Sequence, residues 1–290
     1  MSQMSSPTVV RRWMATELRR LRVEAGLSQA EVAKQLGCRV PKVSLMESAQ
    51  RNVQENDLDK LLRLYDVPKG RWAEYKGAAK SVRRKGWWEL YDESTVPHWL
   101  EFYVGLEQGA ARLRSYQPAI FHGLLQSREY ATAVLRRSPI AMGEERIAEV
   151  VELRARRQAA LDRQDEPLKL WAVVEEAVLR TALGSSDVMR GQLEHVLDVV
   201  GRRDNVTLQV IPADVPADHD SGYGAFSVLS FSWPSDPGVV YIEHRAGAVY
   251  LEALPEVDTH SQAFEKLVDV ALSPDESLKR VRLSAEEYAR

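Results

Sequence analysis

The sequence predicts a multi-domain protein in which an all-α bundle is followed by an α+β domain. Short amphipathic helical segments ended by Gly fill roughly the first 75 residues, and β-branched and aromatic runs begin only near residue 167. The charge changes as well, because residues 1–86 hold 18 Lys and Arg against 9 Asp and Glu, a net charge of +9. The remaining residues hold 21 against 33, a net charge of −12, so only the first part suits a polyanionic partner.

Composition excludes several classes of protein. A chain of 290 residues is long enough for two hydrophobic cores, and its 44% hydrophobic and 28% charged residues are ordinary for a soluble protein. Cys38 is the single cysteine, which excludes an intramolecular disulfide and a Cys-rich zinc site. The N-terminus lacks the apolar segment of a signal peptide, and no run of about 18 apolar residues occurs. We therefore expect a cytoplasmic, nucleoid-associated protein with no membrane contact.

The first three helices are predicted from their start and stop signals. The first occupies residues 8–25. Ser28 followed by Glu31 has the spacing of a capping box, and Gly37 ends this second helix. A third short helix follows, with Pro41 in its first turn. Two short helices joined by a Gly turn form a helix-turn-helix, which fits the DNA major groove, and an ordinary helical hairpin is the alternative.

We expect helix 3, at about residues 39–49, to lie in the major groove. Arg39 and Lys42 are its charged residues, and each either reads a base or neutralises a phosphate. Its apolar residues can only meet thymine methyls or the shape of the DNA. The predicted DNA-binding residues are Ser28, Gln29, Arg39, Val40, Pro41, Lys42, Ser44, Leu45 and Arg51.

The predicted bundle has about five helices. A fourth begins near Asn56, and a last helical turn around Trp72 and Tyr75 closes the domain. We therefore place the DNA-binding domain at residues 8–75. Residues 76–86 are basic and contain Gly and Ala, so they form either a solvated hinge or a segment that lies along the DNA backbone.

Residues 87–290 are predicted to form one regulatory or partner-binding domain. Its first part, residues 87–162, is expected to be helical and includes a helix from about Pro97 to Ser115. Five strand-like runs follow between residues 167 and 254, with a helical stretch after the first, and short loops join the last three. We expect a mixed or antiparallel sheet in which these last three strands form an antiparallel meander, followed by C-terminal helices.

Three stretches of the first domain carry a family resemblance: LRRLRVEAGLSQAEVAKQLG, VSLMES and LLRLYDVP. Together they resemble the lambda-repressor/Cro type of helix-turn-helix domain, also called the XRE family, over roughly residues 10–75. The resemblance implies that Gln29 lies at a helix N-terminus against phosphate and groove edge. It also implies a structural ion pair between Arg22 of the first helix and Glu47 of the third.

The second domain carries another resemblance, in FHGLLQSREYATAVL, ELRARRQAALDR, QLEHVLDVV, VTLQVIP, VYIEH and ALSPDES. These motifs are similar to the C-terminal domain of unknown function attached to helix-turn-helix modules in actinobacteria, as in WhiJ-like developmental regulators. One departure is His122-Gly123, where that family usually has Pro-Gly. The resemblance implies a transcriptional regulator, in some cases the antitoxin-like half of a pair whose small protein partner is encoded nearby.

Three functions follow from these patterns. We favour a sequence-specific DNA-binding regulator whose acidic domain mediates dimerisation and binds a small protein partner. A homodimer is expected because one helix-turn-helix contacts only a half-site. The second hypothesis is a regulator that responds to a small molecule, with a pocket lined by Trp171, Tyr223, Phe226 and Tyr241. The third is an enzyme fused to a DNA-binding module.

Nothing in the sequence favours catalysis. The motifs G-x-S-x-G, G-x-G-x-x-G and H-E-x-x-H and the Walker loop do not occur. An acidic loop containing Asp214, Asp218, His219 and Asp220 offers oxygen ligands to a divalent cation, but it lacks EF-hand spacing and is also typical of an exposed turn. We therefore expect no enzyme, no metal and no cofactor.

Overall fold

The computed structural model describes residues 6–93, 95–138, 142–215, 224–233 and 236–289. The chain divides into two compact units. Unit 1 contains Met1–Leu90 together with Ser232–Asp236, and unit 2 contains Tyr91–Phe231 with Pro237–Arg290. A helical N-terminal region and a C-terminal domain with a mixed sheet and C-terminal helices confirm the predicted fold class.

Unit 1 is a bundle of short helices around one apolar core. Leu18, Val32, Leu58, Leu62 and Tyr75 are all buried in that core. The helices are α1 (Pro7–Glu24), α2 (Gln29–Leu36), α3 (Val40–Glu47), α4 (Glu55–Leu64) and α5 (Trp72–Ser81).

The turn between α2 and α3 has the predicted local chemistry. The Ser28 hydroxyl accepts the Glu31 N–H at 3.2 Å, and the Ser28 N–H donates to the Glu31 carboxylate at 2.7 Å, so the capping box is confirmed. These hydrogen bonds lower the pKa of Glu31. Gly37 has φ of 68°, the left-handed conformation that only Gly adopts at little cost, and it lets the chain enter α3 directly.

The boundary of unit 1 differs from the expected one. Residues 76–86 are not a separate linker, because α5 continues to Ser81 and both Ala78 and Val82 are buried in the unit 1 core. Tyr75, Ala78 and Val82 have helical spacing, so their apolar side chains face the same core. The sequence interpretation rested on the basic residues of this segment and overlooked the helical spacing of its apolar residues.

Unit 1 also includes residues that come from much later in the chain. The Arg12 guanidinium donates to both carboxylate oxygens of Asp236, at 2.7 and 2.9 Å, and the Asp236 side chain is fully buried. Trp233 packs against the unit 1 core. A local sequence pattern carries no signal for a pair so far apart in the chain.

Unit 2 is built on one six-stranded sheet. Its strands are β1 (Arg112–Gln117), β2 (Lys169–Glu175), β3 (Val206–Ile211), β4 (Phe226–Ser230), β5 (Val239–His244) and β6 (Gly247–Leu251). The order is β3-β2-β1-β4-β5-β6. The pairs β1–β2 and β2–β3 are parallel, whereas β1–β4, β4–β5 and β5–β6 are antiparallel, so the predicted meander of the last three strands is confirmed.

The described part of unit 2 contains seven α-helices. They are α6 (His98–Glu107), α7 (Arg128–Arg136), α8 (Glu144–Arg157), α9 (Glu176–Arg180), α10 (Ser186–Gly201), α11 (Leu254–Val270) and α12 (Pro274–Glu287). Pro274 in the first turn and a Ser273–Glu276 capping box start α12.

The prediction of a helix from Pro97 to Ser115 was wrong at its C-terminal end. The helix α6 ends at Glu107, and β1 then runs through the centre of the sheet. β1 is hydrogen-bonded on both sides, to β2 and β4. Gln108 and Gly109 end α6, and pairing on both edges overrides the local helical preference of the segment that follows.

Alternation along the strands assigns side chains to the two faces of the sheet. Tyr116, Val173 and Phe226 lie on the face covered by α11, where they pack with Phe264. Val240 of β5 belongs to the same cluster, so the next residue, Tyr241, points to the opposite face, where its ring lies 4.2 Å from that of Tyr103. The second face therefore has its own aromatic and polar environment.

Candidate nucleic-acid interface

The outward face of α3 is the candidate interface. Val43 and Met46 are buried in the unit 1 core, and this fixes which side of the short helix turns outward. Val40 is 41% exposed and Leu45 is 36% exposed. The predicted residues Val40, Pro41, Ser44 and Leu45 of α3 are exposed, as are Arg39 at its N-cap and Arg51 in the loop that follows.

The backbone of α3 is held by a charged network behind that face. Arg22 donates to both carboxylate oxygens of Glu47, at 2.7 and 3.0 Å, and a third N–H donates to the carbonyl of Leu27. The structure thus contains the ion pair that the family resemblance implied. Hydrogen bonding to Glu47 raises the pKa of Arg22, against the opposing effect of burial. Because both side chains are largely buried, the pair fixes α3 against α1.

Gln29 joins the same network. Its side-chain nitrogen donates to Glu47 at 2.9 Å. A primary amide carries two N–H groups, so this contact uses one of them. The neighbouring Ser28 is exposed, but its hydroxyl serves the capping box, and its side chain is already hydrogen-bonded within α2.

Lys42 differs from the other predicted basic residues. Its ammonium lies 2.7 Å from a carboxylate oxygen of Asp57 on α4, and the pair is partly buried. Arg39 and Arg51 are exposed and form no ion pair with any residue that the structure describes. Sequence reasoning missed the Lys42–Asp57 pair, since no spacing rule connects a residue of α3 with one of α4.

A second charged network braces α1 against α5. Glu17 accepts hydrogen bonds from Arg20 at 2.8 Å and from the Tyr75 hydroxyl at 2.8 Å. The hydrogen bond from Arg20 lowers the pKa of Glu17, although burial opposes the shift. Burial and the Glu17 contact together raise the pKa of Tyr75. The carboxylate charge is thus fixed inside the bundle, away from the exposed face of α3.

The structure does not bring the predicted pocket residues together. Trp171 and Phe226 lie on the sheet face covered by α11, where Trp171 packs edge to face on Phe264 and Phe226 contacts Tyr116. Tyr241 lies on the opposite face. Tyr223 is outside the described residues. Phe226 and Tyr241 point apart because the β4–β5 register pairs Tyr241 with Ser227, one residue along the strand.

Within the described ranges, no group of three or more His, Cys, Asp or Glu could hold a metal ion. Asp218, His219 and Asp220 of the acidic loop lie outside those ranges. None of the described helices is both long and apolar enough to cross a membrane.

Two family models match the chain. A helix-turn-helix domain matches residues 13–74, which contain α2, α3 and the Arg22–Glu47 pair. A domain of unknown function, DUF5753, matches residues 100–282, which is well over half of the chain. No curated protein and no solved structure matches the chain.

Proposed function

Because the chain belongs to the family of the DUF5753 domain of unknown function and carries a helix-turn-helix DNA-binding domain, we propose that it is a sequence-specific transcriptional regulator that inserts α3 into the major groove. The observation that carries the proposal is the exposed face of α3, where apolar residues stand between two unpaired arginines. An exposed apolar side chain on such a helix packs on thymine methyl groups, and arginines bind phosphate or guanine.

The proposed contacts divide into two classes. Arg39 and Arg51 contact the DNA directly, since their charges have no protein partner among the described residues. Gln29 uses its second amide N–H on a phosphate beside the groove. Lys42 contributes less than Arg39, because its charge is already offset by Asp57 before DNA binds.

We propose that the protein is a regulator of the XRE family, similar to the antitoxin-like regulators of actinobacteria, and that it acts as a homodimer. We place it in the cytoplasm, at the nucleoid. One helix-turn-helix covers a half-site, so a dimer is needed for a complete operator. The acidic second domain, residues 87–290, carries a net charge of −12 and would contact a small protein partner encoded nearby. Regulation is proposed as its role, and catalysis is not.

In vitro selection from a random duplex library, followed by binding titrations of the full chain, tests the proposal. We expect an enriched operator with two related half-sites. R39A should weaken binding to that operator, whereas R190A, which removes the same charge from α10 in unit 2, should not. A library with no enriched sequence, or equal losses in the two variants, would contradict α3 as the reader.

Light scattering on and off the selected operator tests the dimer. We expect two chains for each operator. A strict monomer in both states would overturn the dimer while leaving DNA binding by α3 intact.

A further inference from the structure

Unit 2 contains a cavity of about 290 Å³ on the sheet face opposite α11. Its floor is formed by β4 and β5, through Ser227, Tyr241 and Glu243, and its sides by α6, α7 and α8. This volume lies at the lower end of the range that small-molecule sites occupy. Of the predicted pocket residues that the structure describes, Tyr241 lines this cavity, whereas Trp171 and Phe226 do not.

One wall of the cavity is a rigid polar network. The Leu124 N–H donates to Nδ1 of His122 at 3.2 Å, so the ring proton is on Nε2, which donates to the Tyr103 hydroxyl at 3.0 Å. Burial lowers the pKa of His122 to about 4, so the ring is neutral at physiological pH. Burial, followed by the charge of Glu107, raises the pKa of Tyr103.

The charge of Arg157 is paired with a carboxylate within this wall. Arg157 donates to both carboxylate oxygens of Glu107 at 2.8 Å, and both side chains are buried. Its guanidinium also lies 5.3 Å from the centre of the Tyr103 ring. Burial opposes this charge, but Glu107 holds the pKa of Arg157 above its usual value. Arg157 is therefore part of the frame and is not available to a ligand.

Arg154, one turn earlier on α8, is in a different situation. One of its N–H groups donates to the side-chain oxygen of Gln126 at 2.6 Å. Gln126 is itself fixed, since its amide nitrogen donates to the carbonyl of Phe121 at 2.7 Å. Across the described residues, no carboxylate lies within 4.0 Å of the Arg154 guanidinium. Four of its five N–H groups thus remain, on a side chain whose position is set.

The surroundings of Arg154 weaken its solvation. Burial, with the charge of Arg157 nearby, lowers the pKa of Arg154 to about 10 against the opposing effect of Glu243, so the guanidinium of this half-buried side chain is charged and partly desolvated. Glu243 also lines the cavity, beyond ion-pair distance of Arg154. A partly desolvated cation beside an open volume gains free energy from an anion that replaces the missing water.

The rest of the lining mixes apolar side chains with the polar Thr95, Gln117, Ser138 and Arg146. The apolar part comes from Trp99 and Leu100 of α6, Val150 and Leu153 of α8, and Phe121. This apolar part favours a ligand with an apolar body. The combination of an apolar body with a single acidic group describes an organic monocarboxylate.

We propose that this cavity binds a small organic monocarboxylate, with its carboxylate on Arg154 and its apolar body between α6 and α8. The site would make unit 2 a receptor for an organic acid. This inference is independent of the proposed DNA contacts, because every residue it uses belongs to unit 2.

Isothermal titration calorimetry of the full chain tests the site with two probes, naphthalene-2-carboxylate and octanoate, each compared with its neutral amide. We expect at least one acid to bind with one site per chain, and its amide to bind roughly tenfold more weakly or worse, since the amide lacks the charge-assisted hydrogen bonds. This comparison needs no variant. Binding of neither acid, or equal binding of acid and amide, would overturn the proposal.

Two matched variants then assign the charge. R154M keeps much of the side-chain volume and should weaken the bound acid roughly tenfold or more. Arg156 lies two residues after Arg154 on α8, and its side chain is exposed, so R156M should leave the affinity unchanged. R154K keeps the charge without the guanidinium fork and serves if R154M fails to fold. Equal affinity in R154M and the natural chain would refute the assignment.

Discussion

Unit 1 and unit 2 differ in where their unpaired arginines lie. Both units match buried carboxylates with arginines, as in the Arg22–Glu47 and Arg157–Glu107 pairs, but the unpaired Arg39 and Arg51 of unit 1 are exposed. In unit 2 the unpaired Arg154 lies half-buried beside a cavity. An exposed cation is screened by water and salt and suits a polyanion with many weak contacts. An enclosed cation suits one small anion that fills the space beside it.

The largest test of this comparison removes a carboxylate from a buried pair. E107Q leaves Arg157 buried without its charge partner, and we expect the free energy of unfolding of unit 2 to fall by about 3–5 kcal/mol. Urea unfolding followed by circular dichroism measures the loss. E144Q is the matched control, because it breaks an exposed pair with Arg136 on the same unit and should cause no measurable change. Equal effects of the two substitutions would show that burial of the charge pair has no energetic consequence.

The next test uses pH. Burial lowers the pKa of His122 from 6.5 to about 4, so the folded state binds fewer protons than the unfolded state between these values. The contribution of His122 to the free energy of unfolding is therefore fully present above about pH 6.5 and is lost as the pH falls toward 4. Between about pH 7 and about pH 5 the free energy of unfolding should fall by about 2 kcal/mol.

Urea unfolding at the two pH values measures this loss. The H122N side chain does not titrate between these pH values and keeps an acceptor for the Leu124 N–H, so the pH-dependent loss of unfolding free energy should disappear in this variant. H98N removes an exposed histidine and should show the same loss as the natural chain. A pH response unchanged in H122N would place the responsible proton elsewhere.

Elements with local signals could be predicted from the sequence. The Ser28–Glu31 capping box and the Gly37 stop define α2, and the Ser273–Glu276 capping box starts α12. β1 could not be predicted, because its strand character comes from pairing with β2 and β4 and not from its own residues. Local propensity loses to such long-range pairing.

The candidate sites divide in the same way. The outward position of Val40 and Leu45 follows from helical spacing, and the Arg22–Glu47 pair followed from a family resemblance. The cavity of unit 2 could not be predicted, because Arg154, Gln126 and Tyr241 meet only when α8, a loop and β5 are brought to one face of the sheet. The aromatic residues predicted to line a pocket were chosen because aromatic side chains often line ligand sites, but strand alternation places Phe226 and Tyr241 on opposite faces of the sheet.

A smaller effect is expected for the exposed cations of α3. R39A should flatten the dependence of log affinity on log salt by about one unit and weaken all duplexes alike if Arg39 contacts phosphate. Loss confined to the selected operator would instead identify a base contact. Fluorescence anisotropy over a salt series, on the operator and on a scrambled duplex, distinguishes the two. An unchanged salt slope together with unchanged specificity would remove Arg39 from the interface.

The smallest effect is expected for Lys42, because Asp57 already offsets its charge. DNA must compete with a partly buried carboxylate for this ammonium, so K42A should change the salt slope by less than R39A does. D57N tests the same pair from the other side. It frees Lys42 and removes a negative charge, so affinity for both operator and scrambled duplex should rise in the same anisotropy series. If D57N weakens binding while the chain remains folded, the Lys42–Asp57 pair positions α3 for DNA. The role of Lys42 is then to hold α3 against α4, and its charge does not become available to DNA.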